Sequence, residues 1–357
     1  MRDDSRATRR RSEPQLINIG ALRPCRPSRL GQFNPRPLPA GELRETAVND
    51  PHLNGGSAPP PSASLESEPP GSLPPPAPPG SGSALLRAAR NKVSRLEYLQ
   101  MRAIRRTLEP GMLDGGLRFL QRTVGVFWIT QATRNLHRVH HIERLTPLLP
   151  DKSFILVANH RSFFDLYVLT ATLLQWGMRQ RIVFPVRSNF FYDTPAGFVV
   201  NGAMSFFAMY PPLFRDKRRT VLNALGLGEL AELLRSGPTL VGIHPEGTRN
   251  PGDDPYTLLP AKSGIGRLIY AARDVPVVPV FTNGLLPNNL PRQIISNFDG
   301  TGTPIHSVFG APIDFGGLLS EPASPRLFAR ISEACLGAVR GLGEEERALR
   351  AREAHAS

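Results

Sequence analysis

Residues 153–176 read SFILVANHRSFFDLYVLTATLLQW, and the fold turns on how this stretch divides. Ser153 to Ala158 form a short apolar run without alternation, which suits a buried strand. Asn159-His160-Arg161-Ser162 interrupts it with four polar residues. Phe163 to Trp176 is then long enough for a helix, with Asp165 in its first turn. The same alternation recurs downstream. Arg181–Val186 is strand-like. Arg219–Ser236 is helical, with Leu222, Leu225, Leu230, Leu233 and Leu234 at core spacing and Gly237-Pro238 as its stop. Thr239–His244 reads as a second buried strand and Ser263–Arg273 as a helix. Val275–Phe281 is extended, its prolines marking strand ends or irregular pairing. Ser307–Phe309 and the GAPIDF after it make a last strand, and Pro325–Glu353 is a final helical region. Strands alternating with helices predict an α/β fold, a layered and mostly parallel sheet flanked by helices.

Upstream of this region the composition changes. The chain has 357 residues and 37 prolines, seventeen of them in the first 82 positions. Residues 58–83 are Pro/Ser/Gly-rich and lack the apolar side chains that offset chain entropy, so 1–83 is expected to be a disordered Pro/Arg-rich tail. Residues 84–108 carry Leu86, Ala89, Val93 and Leu96 at helical spacing among seven cations. Such a basic amphipathic helix suits an anionic membrane surface, or packs on the main domain with its charges in water. A second helical stretch runs from Leu117 to Asn135. The division expected is therefore a tail at 1–83, a membrane-proximal helical segment at 84–135, a catalytic domain at 136–320 and a C-terminal helical region at 321–357. Residues 194–214 stand apart, because 21 positions contain no charge. Their Gly, Asn and Pro content argues against a regular spanning helix and leaves either a core segment or a surface that enters a bilayer.

The net charge of +13 calls for an anionic partner, nucleic acid or phospholipid. No aromatic–basic reader module is present, so nucleic acid is not expected. Two cysteines exclude a disulfide scaffold and a cysteine-rich zinc module. No uninterrupted apolar run reaches the 18 residues of a clean spanning helix. The opening MRDDSRATRRRS has no apolar core of a secretory leader. The expectation is peripheral attachment at the cytoplasmic face of a membrane.

Three constellations carry chemistry. His160 follows a buried strand, at the end where open α/β sheets bind ligands. Asp165, five residues on, can reach back to the imidazole, hold its Nδ1–H and leave Nε2 as a general base. Ser162-x-x-Asp165 also fits a helix start, in which case the histidine is an ordinary loop residue. Ile243-His244-Pro245-Glu246-Gly247-Thr248-Arg249 ends the next buried strand and should share its edge with His160. Gly247 permits a tight turn, Thr248 adds a hydroxyl, and Arg249 offers a planar fork for phosphate. The alternative is a polar turn with Glu246 paired to Arg249. Phe214-Arg215-Asp216-Lys217-Arg218-Arg219 follows the uncharged stretch and puts four cations in five positions, a phosphate or headgroup site.

Together these residues resemble the glycerolipid acyltransferase family, which includes the 1-acyl-glycerol-3-phosphate acyltransferases. NHRSFFD matches its first block, with a histidine and an aspartate separated by four residues. FRDKRR, with Gly202 ahead of it, is similar to the second, HPEGTRN to the third and VPVVPV at 275–280 to the fourth. Lys262-Ser263-Gly264 sits where the family carries a Lys-x-Gly turn. Thirteen positions separate Gly202 from Arg215, more than the family's usual spacing. The resemblance covers about residues 120–320. It implies that His160 and Asp165 are catalytic. It also implies that Arg215 and Arg249 bind an acceptor phosphate, while Glu246, Gly247 and Thr248 shape the glycerol site. No metal or cofactor is implied. The partners would be a lysophospholipid acceptor, 1-acyl-glycerol-3-phosphate by default, and acyl-CoA or acyl carrier protein as donor. Backbone N–H groups near the first block are candidate donors to the developing oxyanion. Other enzyme classes find no support. There is no Gly-x-Ser-x-Gly elbow, Leu145 stands where a His140-His141 block would need an aspartate, and Lys262 precedes its glycines as no P-loop lysine does.

Overall fold

A computed structural model describes residues 83–356, apart from 149, 287–289 and 300. The tail expected ahead of this region lies outside the described residues. Four helices come first: α1 (Ala84–Ala89), α2 (Arg95–Thr107), α3 (Met112–Leu120) and α4 (Val126–Thr133). Then follow β1 (His137–His140), β2 (Phe154–Ala158), α5 (Asp165–Gln175), β3 (Arg181–Arg187), the short turn α6 (Ser188–Phe191), α7 (Pro195–Ser205) and β4 (Met209–Leu213). The chain continues through α8 (Thr220–Ser236), β5 (Thr239–Ile243), α9 (Ser263–Ala271), β6 (Val277–Asn283), α10 (Leu290–Asp299), β7 (Ile305–Phe309) and α11 (Pro325–Ala356).

One seven-stranded sheet runs in the order β1-β7-β6-β2-β5-β3-β4. β2, β3, β4, β5 and β6 are parallel, and only the β6–β7 pairing is antiparallel. β2 is central and buried along its whole length, which explains why its sequence does not alternate. Ile155 and Val157 enter the core beneath α8, α9 and α11, whereas Phe154, Leu156 and Ala158 enter the one beneath α5. α11 contributes Leu327, Ile331, Cys335 and Val339 to the first core, so the C-terminal helical region completes that layer.

The segment 84–108 is two helices rather than one. Ser94 caps α2 by accepting from Glu97 N at 3.1 Å, and Glu97 accepts from Ser94 N at 2.8 Å, a reciprocal capping box that requires a break before it. The apolar side of the pair faces the protein. Leu85, Ala89, Met101 and Ile104 are fully buried, and each of the larger ones contributes about 1.5–3 kcal/mol. Glu229 of α8 is buried and accepts from Ser83, Arg105 and Tyr210, tying α1, α2 and β4 together. Of the two readings of this basic segment, packing on the domain is the one observed. The charge-free stretch 194–214 splits. Its first half is α7, with Val199 largely exposed, and its second half is the buried edge strand β4.

Candidate active site

The fold brings the ends of four strands to one cavity. His160 lies just beyond β2, Arg187 ends β3, Arg215 follows β4, and His244 follows β5. Because these strands are parallel, their carboxyl ends share one edge of the sheet, where open α/β sheets bind ligands. The cavity there has a volume of about 910 Å³. Phe163, Tyr167, Phe184, Val186, Met209 and Leu227 give it an apolar wall, and Arg187, Arg215, Arg249 and Lys262 give it a basic one.

His160 and Asp165 meet as their spacing implies. His160 Nδ1 lies 3.2 Å from Asp165 Oδ2. The same oxygen accepts from the backbone N–H groups of Arg161 at 2.7 Å and Ser162 at 2.8 Å. The turn between β2 and α5 therefore wraps around one carboxylate oxygen. A carboxylate on Nδ1 fixes the proton there and leaves the lone pair on Nε2. Burial drives both groups toward their neutral forms. It pulls His160 down to about 4, helped by the charge of Arg249, and pushes Asp165 up to about 6. Of the backbone N–H groups near the first block, those of Arg161 and Ser162 are committed to Asp165.

His244, to which the motif reading gave no role, lies flat against His160. The ring centroids are 3.8 Å apart and the planes 4° from parallel. Its Nδ1–H donates to Ala158 O at 2.9 Å, and burial holds it down to about 3, so it remains a neutral backing plate. His160, Asp165 and His244 also bring one ligand atom each within 4.8 Å of one another. Those groups are already engaged, two of them with each other and His244 with the backbone.

Glu246 is not where the motif reading put it. It is fully buried and does not line the cavity. One carboxylate oxygen accepts from His160 N at 2.8 Å and the other from Leu259 N at 2.8 Å. It clamps the backbone of the first block to the third. Gly247, Thr248 and Arg249 do line the cavity. Gly247 has φ +65°, a conformation that side chains with a Cβ rarely adopt, and a Cβ there would sit 3.0 Å from Lys262 Cγ. Arg215 reaches the cavity wall, whereas Gly202 lies on α7 against Phe207 and has no part in it.

Arg187 is a further cation at this site. Its Nη2 donates to Thr248 Oγ1 at 2.8 Å. Burial and then the charges of Arg215 and Arg249 lower its pKa, so three guanidiniums crowd one wall. Mutual repulsion of that kind is relieved by a multiply charged anion.

Residues 117–283 match the family model described as Acyltransferase. His160, Asp165 and Glu246–Arg249 all fall within the matched residues. Among solved structures the chain is similar to the 1-acyl-sn-glycerophosphate (LPA) acyltransferase PlsC from Thermotoga maritima. The match has 21% identity over 73% of this chain and 98% of that one, with a TM-score of 0.41. No curated protein matches the chain by sequence.

Proposed function

We propose that the protein is a glycerolipid O-acyltransferase that moves a fatty acyl group from a thioester donor to the hydroxyl of a phosphate-bearing lysolipid. The acceptor proposed is 1-acyl-glycerol-3-phosphate, giving phosphatidic acid. The observation that carries this reading is the single cavity in which an Asp-held histidine stands between an apolar wall and three arginines. An acyl chain suits the first wall and a phosphomonoester the second. His160 Nε2 takes the proton of the acceptor hydroxyl as its oxygen attacks the thioester carbonyl. The carbon–sulfur bond breaks, the thiolate leaves, and the proton on His160 passes to it. The donor is acyl-CoA or acyl carrier protein, and no cofactor is required by these steps. The test is transfer of a radiolabelled long-chain acyl group from each donor to a panel of lysolipids and glycerol-3-phosphate. Product on 1-acyl-glycerol-3-phosphate that depends on His160 supports the proposal. Product only on a neutral or zwitterionic acceptor overturns the acceptor assignment, and no product on any acceptor overturns the reaction.

Arg249 serves two ends in this scheme, so its substitution has a double signature. Arg249→Gln is expected to raise KM for the phosphate acceptor about tenfold or more, the scale of a lost charge-assisted hydrogen bond. It also removes a charge that holds His160 down. The pKa of His160 should therefore rise, and the acid limb of the pH–rate profile should move to higher pH. An unchanged limb with a raised KM would mean that Arg249 touches acceptor alone.

Attachment to the cytoplasmic face of a membrane is part of the same proposal, but the surface that supports it is not the basic segment named from sequence. No helix of the described residues is long and apolar enough to cross a membrane. Met112, Leu113, Phe119, Val124 and Phe127, on and between α3 and α4, are exposed, with Phe119 and Phe127 each 65% accessible. The exposed Arg122 lies among them. Apolar side chains next to a cation suit the headgroup boundary of an anionic bilayer. Phe119→Ser with Phe127→Ser is expected to cut co-sedimentation with phosphatidylglycerol-containing vesicles at least fivefold without lowering thermal stability. Undiminished binding by the double variant would place the membrane contact elsewhere.

A further inference from the structure

A second cluster of ionisable groups lies at the opposite end of the sheet order from the arginine wall. Four of the chain's eight histidines occupy or adjoin the edge formed by β1 and β7: His137, His140, His141 and His306. We propose that His140, His306 and Glu353 hold a divalent transition-metal ion, zinc by the chemistry of the donors, which fastens the end of α11 to that edge. One ligand atom from each of the three comes within 4.8 Å of the others. His306 Nε2 and Glu353 Oε2 are 3.4 Å apart. That is about the edge of a tetrahedron whose metal–ligand bonds are roughly 2.1 Å.

The buried atoms point the same way. His306 is 1% exposed, yet its Nδ1 has no hydrogen-bond partner, and neither has the buried Nε2 of His140. Buried polar nitrogens are nearly always satisfied, so the orphan Nε2 of His140 beside the His306 ring calls for a ligand, while His306 Nδ1 faces Glu346. The rings stack at 5.0 Å with their planes 29° apart, close enough to converge on one ion by small rotations.

The surroundings supply the rest. With a metal on Nε2, the proton of His306 sits on Nδ1, facing Glu346 Oε1 at 3.9 Å. Glu346 is fully buried and fixed by Tyr256 Oη at 2.6 Å and Arg350 Nη2 at 2.7 Å. A modest closure completes the carboxylate–histidine–metal arrangement that orients ligands in metalloproteins. Two imidazoles and one carboxylate favour zinc over calcium or magnesium, and three protein ligands leave one position for water. β6 and β7 separate β1 from β2, so this site is not part of the acyl-transfer cavity.

The test uses the untagged full-length protein, stripped with chelator and titrated with zinc chloride by calorimetry, with melting followed alongside. Expected are one saturable equivalent at micromolar affinity or tighter and a raised Tm. Glu353→Gln, at an exposed position, should weaken binding more than tenfold, as should His140→Ala. Glu346→Gln should weaken it about 10–100-fold, as loss of an outer carboxylate does. His160→Ala should bind as wild type does. The proposal is overturned by any of three results: no saturable binding, binding that survives both Glu353→Gln and His140→Ala, or binding lost only with His160→Ala, which would put the ion in the other cluster.

Discussion

Replacing His160 with alanine is expected to lower kcat for acyl transfer by about 10²–10⁴-fold, the range of a lost general base, with KM for the acceptor changed far less. The split follows from the geometry. In the proposed scheme the acceptor's phosphate falls to Arg187, Arg215 and Arg249 and the reacting hydroxyl to His160, all of which line the cavity. The pH profile adds a second criterion. Burial and the charge of Arg249 pull His160 down to about 4, so its basic form is present throughout the neutral range. The His160 limb of wild-type kcat/KM should therefore lie near 4, well below the 6.5 of an unperturbed histidine and separate from any step set by Asp165. His160→Ala activity within threefold of wild type would remove the imidazole from the base role.

The parts of this site that were legible in the sequence are those whose partners are close in the chain. His160 and Asp165 are five residues apart across a strand–helix turn, and their type and spacing carry the pairing. β2 and β5 were legible because a buried parallel strand is an unbroken apolar run. Arg187 was not, because it reads as the charged end of RIVFPVR, and its partner Thr248 lies 61 residues away. His244 was inside a recognised motif, but the stack that gives it a role depends on β2 and β5 being neighbours, which only the sheet order provides. Glu246 was assigned to the glycerol site through the family resemblance, although its sequence position does not show which way its side chain turns. Here two backbone amides replace its hydration, so burial is tolerated.

Elements were missed for similar reasons. β4 carries Pro211 and Pro212, which argue against a strand anywhere but an edge, and an edge is where it lies. β1, with the sequence HRVH, has no apolar signature because it is the other edge and half-exposed. The break between α1 and α2 did leave a trace, since Ser94-Arg95-Leu96-Glu97 is a capping box in the sequence itself. The His140–His306 pair could not be read at all. Nothing local links residues so far apart until β1 and β7 pair.

Asp165 gives the second large effect, and its two obvious substitutions should separate orientation from charge. All three of its hydrogen bonds converge on Oδ2, from His160 Nδ1, Arg161 N and Ser162 N, while the buried Oδ1 has no partner. In Asp165→Asn the amide oxygen can occupy the place of Oδ2 and keep all three donors, so the imidazole retains its orientation and tautomer. The NH₂ then falls where Oδ1 lay, unpartnered. What is lost is the negative charge that stabilises the imidazolium as His160 takes the proton. In Asp165→Ala the charge and the anchor are both lost, and two backbone amides lose their acceptor, at about 1–3 kcal/mol each if they stay buried. The expected order in kcat is therefore wild type, then Asn at least tenfold lower, then Ala lower by about 10³–10⁴-fold, near the effect of losing the aspartate of a catalytic triad. The pH dependence separates them further. Burial pushes Asp165 up to about 6, so wild-type rate should fall below that pH as the carboxylate takes up a proton, and should fall again near 4 as His160 does. Asp165→Asn has no such carboxylate and should lose the upper step while keeping the lower. If Asn and Ala were equally impaired, convergence on Oδ2 would not hold the histidine. If Asn matched wild type at neutral pH, the charge would play no part in the transition state, and Asp165 would act through orientation alone.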